Sequence, residues 1–276
     1  MDQTLEDKYT RMQSILRELR SVAVAFSGGV DSSLVLKAAV DTLGAPQTVA
    51  VTGRSASLAS GELEAARKVA AAIGVEHVVL DTNEFDNPNY VSNPANRCYF
   101  CKTTLYARLK KFVADRGLNA IVNGVIADDL GDYRPGLDAA REHGVRAPAA
   151  EAGLTKADVR ALAKCLGLEV FDKPASPCLS SRVPYGEMVT PEKLRMIEAG
   201  ELFLRGLGIG QCRVRHHGDM ARIEVEAPAI PRLADPLLAR QIDQHFRSLG
   251  YRHVALDLRG FRSGSMNEPL LIHLAH

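Results

Sequence analysis

Leu5, Met12, Ile15, Leu16 and Leu19 recur at the spacing of one helix face, and a short apolar run, "VAVAF" (22–26), follows them and stops at Ser-Gly-Gly. Past that stop, "SSLVLKAAVDTLG" returns to helical spacing. The alternation continues, with "TVAVT" (48–52) as a strand, "SGELEAARKVAAAIG" as a helix closed by Gly74, "EHVVLD" as a strand, a helix after Tyr99, and "NAIVNG" (119–124) as a strand. Such alternation predicts an α/β fold with a parallel sheet covered on both faces, whose ligands lie at the carboxyl ends of the strands.

"LTKADVRALAKCLGL" predicts a further helix with Thr155 as N-cap and Gly167 as stop; "DKPASPCLSSRVPYGEMVTPEKL" is a proline-broken connector, and Thr190 with Pro191 starts the next helix. Then come "QCRVRHHG", "ARIEVE", a helix from about Pro231 to Leu249, and "HVALDL". That order suits a smaller α+β domain. The expected division is 1–180 for the parallel-sheet domain and 181–276 for a domain serving substrate binding or oligomerisation.

With 276 residues, 46% of them hydrophobic, the chain can build a core in each part. A formal charge of +1 gives no field that would draw the whole chain to nucleic acid or an anionic membrane. "MDQTLEDKYT" has neither the basic nor the apolar region of a secretory signal, and no run reaches the roughly 18 apolar residues of a membrane span, so the chain reads as cytoplasmic. In a reducing compartment its five cysteines point to metal or redox chemistry rather than disulfides, above all the close pair in "RCYFCK". Cys165 and Cys212 fall in a helix and a strand and are expected in the core.

The Ser-Gly-Gly stop ends a strand and opens a helix, where backbone N–H groups and the helix dipole favour an anion. Gly28 and Gly29 are expected to take positive φ and let the backbone approach phosphate oxygens; Ser27, Ser32 and Ser33 can donate hydroxyls, and Asp31 can hold Mg²⁺. No lysine stands where a γ-phosphate kinase loop carries one. Thr52, Gly53 and Ser55 end the second strand, where adenine contacts are expected, and Gly124 ends a later one. Asp128, Asp129 and Arg134 follow it, suited to Mg²⁺, ribose or a helix cap.

"SGGVDS" resembles the pyrophosphate loop of the N-type ATP pyrophosphatases (the PP-loop superfamily), which split ATP between the α and β phosphates and adenylate a substrate. "NPANRCYFCK" (93–102), "GVIADDLGDYRPGLDAAREHGVRAP" (124–148), "DKPASPCLSSRVPYG" (172–186) and "RVRHHGDMARIEV" (213–225) narrow the likeness to the ATP-dependent sacrificial sulfur transferase (LarE) family. The resemblance runs from about residue 15 to "DLRGFRSGSMN" (257–267). It implies adenylation of a carboxylate of pyridinium-3,5-dicarboxylate mononucleotide, with ATP and Mg²⁺, then sulfur insertion to a thiocarboxylate for the nickel-pincer cofactor of lactate racemase.

Some members of that family surrender the sulfur of a cysteine at the position of Cys178. Others, like this chain, also have cysteines at the positions of Cys98 and Cys101, and the resemblance then implies a four-iron four-sulfur cluster on all three. From spacing alone, C-x-x-C serves zinc sites and redox pairs equally. Cys178 lies beside Ser180, Ser181 and Arg182, a polar and cationic setting of the kind that activates a thiol.

Arg213 and Arg215 alternate along a strand and should share a face, fit to clamp a phosphate or substrate carboxylates. Glu224 is expected to meet Mg²⁺ or orient an arginine, Glu201 is a candidate through the resemblance alone, and Lys102 is placed to reach a phosphate. His216 and His217, adjacent on a strand, point to opposite faces. A small-molecule nucleotide substrate, no nucleic acid or membrane partner, and a homo-oligomer complete the expectation. Another adenylating enzyme, a tRNA thiolase or an amide-forming synthetase, is the first alternative; a non-catalytic nucleotide or iron-sulfur sensor is the second.

Overall fold

The computed structural model describes residues 3–131, 134–174 and 176–262. The end of the "DLRGFRSGSMN" stretch, from residue 263, lies outside the described residues. Contacts divide the chain into two units: residues up to Tyr90 with Asn96–Ser176, and Val91–Ala95 with the chain from Pro177 onward.

In the first unit, β1 (Val22–Ala25), β2 (Thr48–Arg54), β3 (Glu76–Asp81) and β4 (Ala120–Val122) form one parallel sheet in the order β3-β2-β1-β4. Side chains alternate across β1: Val22 and Val24 join a core with Met12 and Leu16 of α1 (Gln3–Leu19) and Leu34 of α2 (Val30–Leu43). Ala23 faces the opposite core, with Tyr106 and Leu109 of α5 (Arg97–Arg116) and Ala139 of α6 (Pro135–Glu142). Helices therefore cover both faces, which is why the strands carry continuous apolar runs.

Local signals set the helix ends. Gly74 closes α3 (Ser60–Ile73) in the left-handed conformation, and Thr155 and Asp158 form a reciprocal capping box at the start of α8 (Lys156–Cys165). The short helices α4 (Pro88–Val91) and α7 (Pro148–Glu151) each begin with proline. Where the sequence predicts a helix after Tyr99, α5 begins at Arg97, so Cys98 and Cys101 both lie near its start. Cys165 is exposed rather than in the core: Val159, Leu162 and Ala163 are the buried face of α8, and its last residue turns away from them.

The second unit holds α9 (Pro191–Gly206), then β5 (Cys212–His217), β6 (Met220–Val225), α10 (Ile230–Leu233), α11 (Pro236–Ser248) and β7 (His253–Leu256). Its sheet runs β5-β6-β7, antiparallel and then parallel. The single helix expected from Pro231 is split, because Asp235 accepts hydrogen bonds from the N–H groups of Leu237 and Leu238 and Pro236 starts a new helix.

Candidate functional site

The loop between β1 and α2 is built around one glycine conformation. Gly28 has φ +72°, and a Cβ there would lie 2.9 Å from the Ala66 Cα of α3. Gly29 does not share the expected positive φ; at −82° it is the N-cap of α2, a position extended backbone serves. Ser32 Oγ ties the loop together, accepting from the Ser27 N–H at 3.2 Å, donating to the Gly29 carbonyl at 3.1 Å and lying 3.0 Å from Ser27 Oγ. Ser33 is buried, and its hydroxyl has no hydrogen-bond partner among the described residues. Gly124, just past β4, packs so closely that a Cβ would lie 2.6 Å from Ser32 N.

The loop itself carries no lysine, but the fold supplies one. Lys156, the first residue of α8, places Nζ 2.7 and 2.8 Å from the two Asp31 oxygens. Asp128 accepts from the Lys156 backbone N–H at 2.9 Å and so caps α8 rather than the helix that follows it in sequence. Asp129 accepts from the Ile126 N–H and pairs with Arg134 at 2.6 Å. Sequence reasoning missed Lys156; its signal was a lysine directly after a capping threonine, which is meaningful only once α8 is known to start beside Asp31.

At the end of β2, Thr52 donates to the Phe26 carbonyl and lies 2.8 Å from His77 Nε2. Gly53 leaves no room for a Cβ, which would meet Leu105 and Thr82 at 2.9 Å. Ser55 and Ser57 both donate to the buried Glu84, which orders the loop leading to α3. Lys102 lies against Gly136 of α6 and over the Tyr106 ring.

In the second unit, buried ion pairs replace the solvated strand face that alternating polar residues would allow. Glu201 of α9, 1% exposed, takes Arg182 in a two-pronged pair at 2.9 and 3.1 Å and also holds Arg205 and the Val214 N–H. Glu224, 0% exposed and expected to meet Mg²⁺ or orient an arginine, gives one oxygen to Arg215 and the other to Arg222. Arg213 is buried over the Phe261 ring, and burial together with the Arg182 and Arg215 charges pushes its pKa below the ordinary arginine value. Among the described residues, the guanidinium groups of Arg182, Arg205, Arg213, Arg215 and Arg222 thus gather near Glu201 and Glu224, with Asp257 3.7 Å from Arg222. The arrangement favours an anion.

Cys178 is exposed and immediately precedes a short 3₁₀ turn, Leu179–Arg182, whose Arg182 donates back to the carbonyls of Pro177 and Cys178 at 2.6 and 3.0 Å. Cys98 is exposed and Cys101 half-buried. Among the described residues no three His, Cys, Asp or Glu side chains gather as a metal site. Cys212 is buried; that burial and the Glu201 charge push its thiol up to about 11. His216 is buried too, with Nδ1 3.2 Å from the Tyr251 hydroxyl and Nε2 3.4 Å from Glu187.

Residues 10–96 match the family model described as asparagine synthase. The chain is 46% identical over 266 residues to an uncharacterized protein of Synechocystis, covering 96% of this chain and 99% of the relative. It is 40% identical over 268 residues to the pyridinium-3,5-bisthiocarboxylic acid mononucleotide synthase of Lactiplantibacillus plantarum, covering 97% and 96%. A tRNA-specific 2-thiouridylase of Azorhizobium caulinodans is 32% identical over 238 residues, across 72% of this chain and 60% of that protein. A parallel sheet with a Gly-rich anion loop at the end of its first strand defines a PP-loop, ATP-using enzyme. Within that class, the chain belongs to the LarE-type family of ATP-dependent sulfur transferases.

Proposed function

We propose that this enzyme adenylates a carboxylate of pyridinium-3,5-dicarboxylate mononucleotide, releases pyrophosphate, and then replaces AMP with sulfur to give a thiocarboxylate. The observation that carries the reading is the combination, in one chain, of an anion loop served by Lys156 and a buried arginine cluster beside an exposed cysteine. The synthase from Lactiplantibacillus plantarum, similar over nearly the whole chain, is named for a product of this kind.

A carboxylate is a poor acyl donor until its oxygen leaves as part of AMP. The N–H groups at the start of α2 and the Lys156 ammonium would hold the departing pyrophosphate as its charge develops. Asp31 is the residue that would hold Mg²⁺, whose chemistry is to neutralise phosphate charge. Arg213 and Arg215 would orient the anionic substrate, with Glu224 and Glu201 fixing the guanidinium planes. Ser27, Gly124, Thr52, Gly53 and Ser55 would line the nucleotide's path, with Asp128, Asp129 and Arg134 beside it.

Sulfur in this reading comes from Cys178. Its Sγ attacks the acyl carbon, AMP departs with the bonding electron pair, and loss of the Cα proton with cleavage of the Cβ–Sγ bond leaves dehydroalanine and a thiocarboxylate. Cys98 and Cys101 offer two ligands near the start of α5; together with Cys178 they are the residues that would hold an iron-sulfur cluster, whose chemistry would be to carry the transferred sulfur in place of the cysteine itself. The thiocarboxylate would serve a nickel-pincer cofactor of the lactate racemase kind, made by a homo-oligomer that binds neither nucleic acid nor membrane.

The test is anaerobic single-turnover assay with ATP and the pyridinium nucleotide, following pyrophosphate, thiocarboxylate and the mass of the peptide containing residue 178. One thiocarboxylate per chain, with loss of hydrogen sulfide from that peptide, supports the reading. Multiple turnovers with an unchanged peptide, and iron with matching acid-labile sulfide, would transfer the donor role to a cluster.

A further inference from the structure

Tyr90 and Asn96 belong to the first unit, but the five residues between them belong to the second. At the centre of this insert stands Asn93, fully buried, with φ +56°. Left-handed backbone is strained for most side chains and tolerated by asparagine. Its amide Nδ2 donates toward three carbonyls, those of Val183 at 3.3 Å, Pro184 at 2.7 Å and Glu187 at 3.0 Å. The insert also accepts in return: Asn93 O takes the Gly186 N–H at 2.8 Å and Val91 O takes the Val189 N–H at 2.9 Å.

The segment it grips continues directly from the Cys178 turn. Val183 N–H bonds to the Ser180 carbonyl, Ser181 N–H bonds to the Cys178 carbonyl, and Arg182 folds back on Pro177 and Cys178. Pro184 and Gly186 keep the Val183–Glu187 stretch out of helix and strand, so its backbone groups need outside partners. One buried amide, with two N–H bonds, lies within reach of three of its carbonyls.

We propose that Asn93 is a positioning residue for sulfur transfer: it fixes the Val183–Glu187 loop and, through it, the placement of Arg182 and the Cys178 thiol. Asn93 touches neither substrate nor the reacting atoms. The proposal rests on Cys178 being the sulfur donor, and its consequences fall on the second half-reaction. Adenylation, performed at the β1–α2 loop, is independent of it.

Asn93→Gly is the informative variant, because glycine accepts φ +56° without strain while the side chain that carries the amide is removed. Expected are pyrophosphate release within about twofold of wild type, thiocarboxylate formation lowered about tenfold or more, and a changed rate of Cys178 alkylation by iodoacetamide, read by peptide mass. Asn93→Asp, which keeps the shape but turns an acceptor toward three carbonyls, should do the same or worse. Wild-type sulfur transfer and alkylation in Asn93→Gly would overturn the proposal, as would equal loss of both half-reactions together with a lowered melting temperature, which marks a general folding role. A Cys178→Ala control separates the two readings. If it still transfers sulfur, the donor assignment fails, while the alkylation rate in Asn93→Gly still reports whether Asn93 sets the loop.

Discussion

Lys156 Nζ and the Asp31 carboxylate meet through both oxygens, at 2.7 and 2.8 Å, although 125 residues separate them. Each group is about a third exposed, so the pair is a modest source of stability and well placed to exchange partners when phosphates arrive. Asp31→Ala is expected to abolish pyrophosphate release, and Lys156→Ala to reduce it by about 10²-fold or more, the size of a lost charge-stabilising donor. Measured by substrate-dependent pyrophosphate release, activity near wild type in either variant would remove that residue from the site.

Gly124→Ala tests the close approach of two backbones. A methyl group 2.6 Å from Ser32 N must displace the start of α2, so ATP binding, followed by calorimetry, should weaken by about tenfold or more. Unchanged affinity would mean that the loop yields without cost.

The Arg182–Glu201 pair is almost fully buried, with side chains 3% and 2% exposed. Glu201→Ala would leave a buried guanidinium without its two-pronged partner and should cost about 3–5 kcal/mol by urea unfolding. Glu201→Gln retains the carbonyl acceptor and should cost less.

The cysteines should differ sharply toward alkylating reagents. Cys178 is exposed and should react, whereas Cys212 is buried with its thiol pushed up to about 11, so it should stay unmodified at neutral pH until the protein unfolds. Rapid labelling of Cys212 in the native protein would contradict its placement.

Stability should fall on the acid side. His77, His143, His216 and His217 all have pKa values lowered, chiefly by burial, from an ordinary value of 6.5. The unfolded chain therefore binds more protons than the folded one below about pH 6.5, so stability is full above that pH and declines below it. His216 packs against Tyr251, Glu187 and Lys193, and His216→Asn should flatten the decline between pH 7 and pH 5.5 in denaturant titrations.

Much of this protein was legible in the chain itself. The apolar runs of β1 and β2 pointed to the parallel sheet because strands buried on both faces need few polar positions, and the Ser-Gly-Gly stop announced an anion loop because few other residues permit φ near +72°. Capping at Thr155 and Thr190 followed from side-chain chemistry acting within one turn. Arg182, Glu201, Arg213, Arg215 and Glu224 could be singled out, but whether their charges faced water or one another could not be read, because their partners lie on other elements. Only the tertiary structure brought Lys156 to Asp31, exposed Cys165 while burying Cys212, and set Asn93 among three carbonyls of a distant loop. Local sequence fixes backbone conformation through short-range sterics and hydrogen bonds; which distant side chains then meet is decided by how the elements pack.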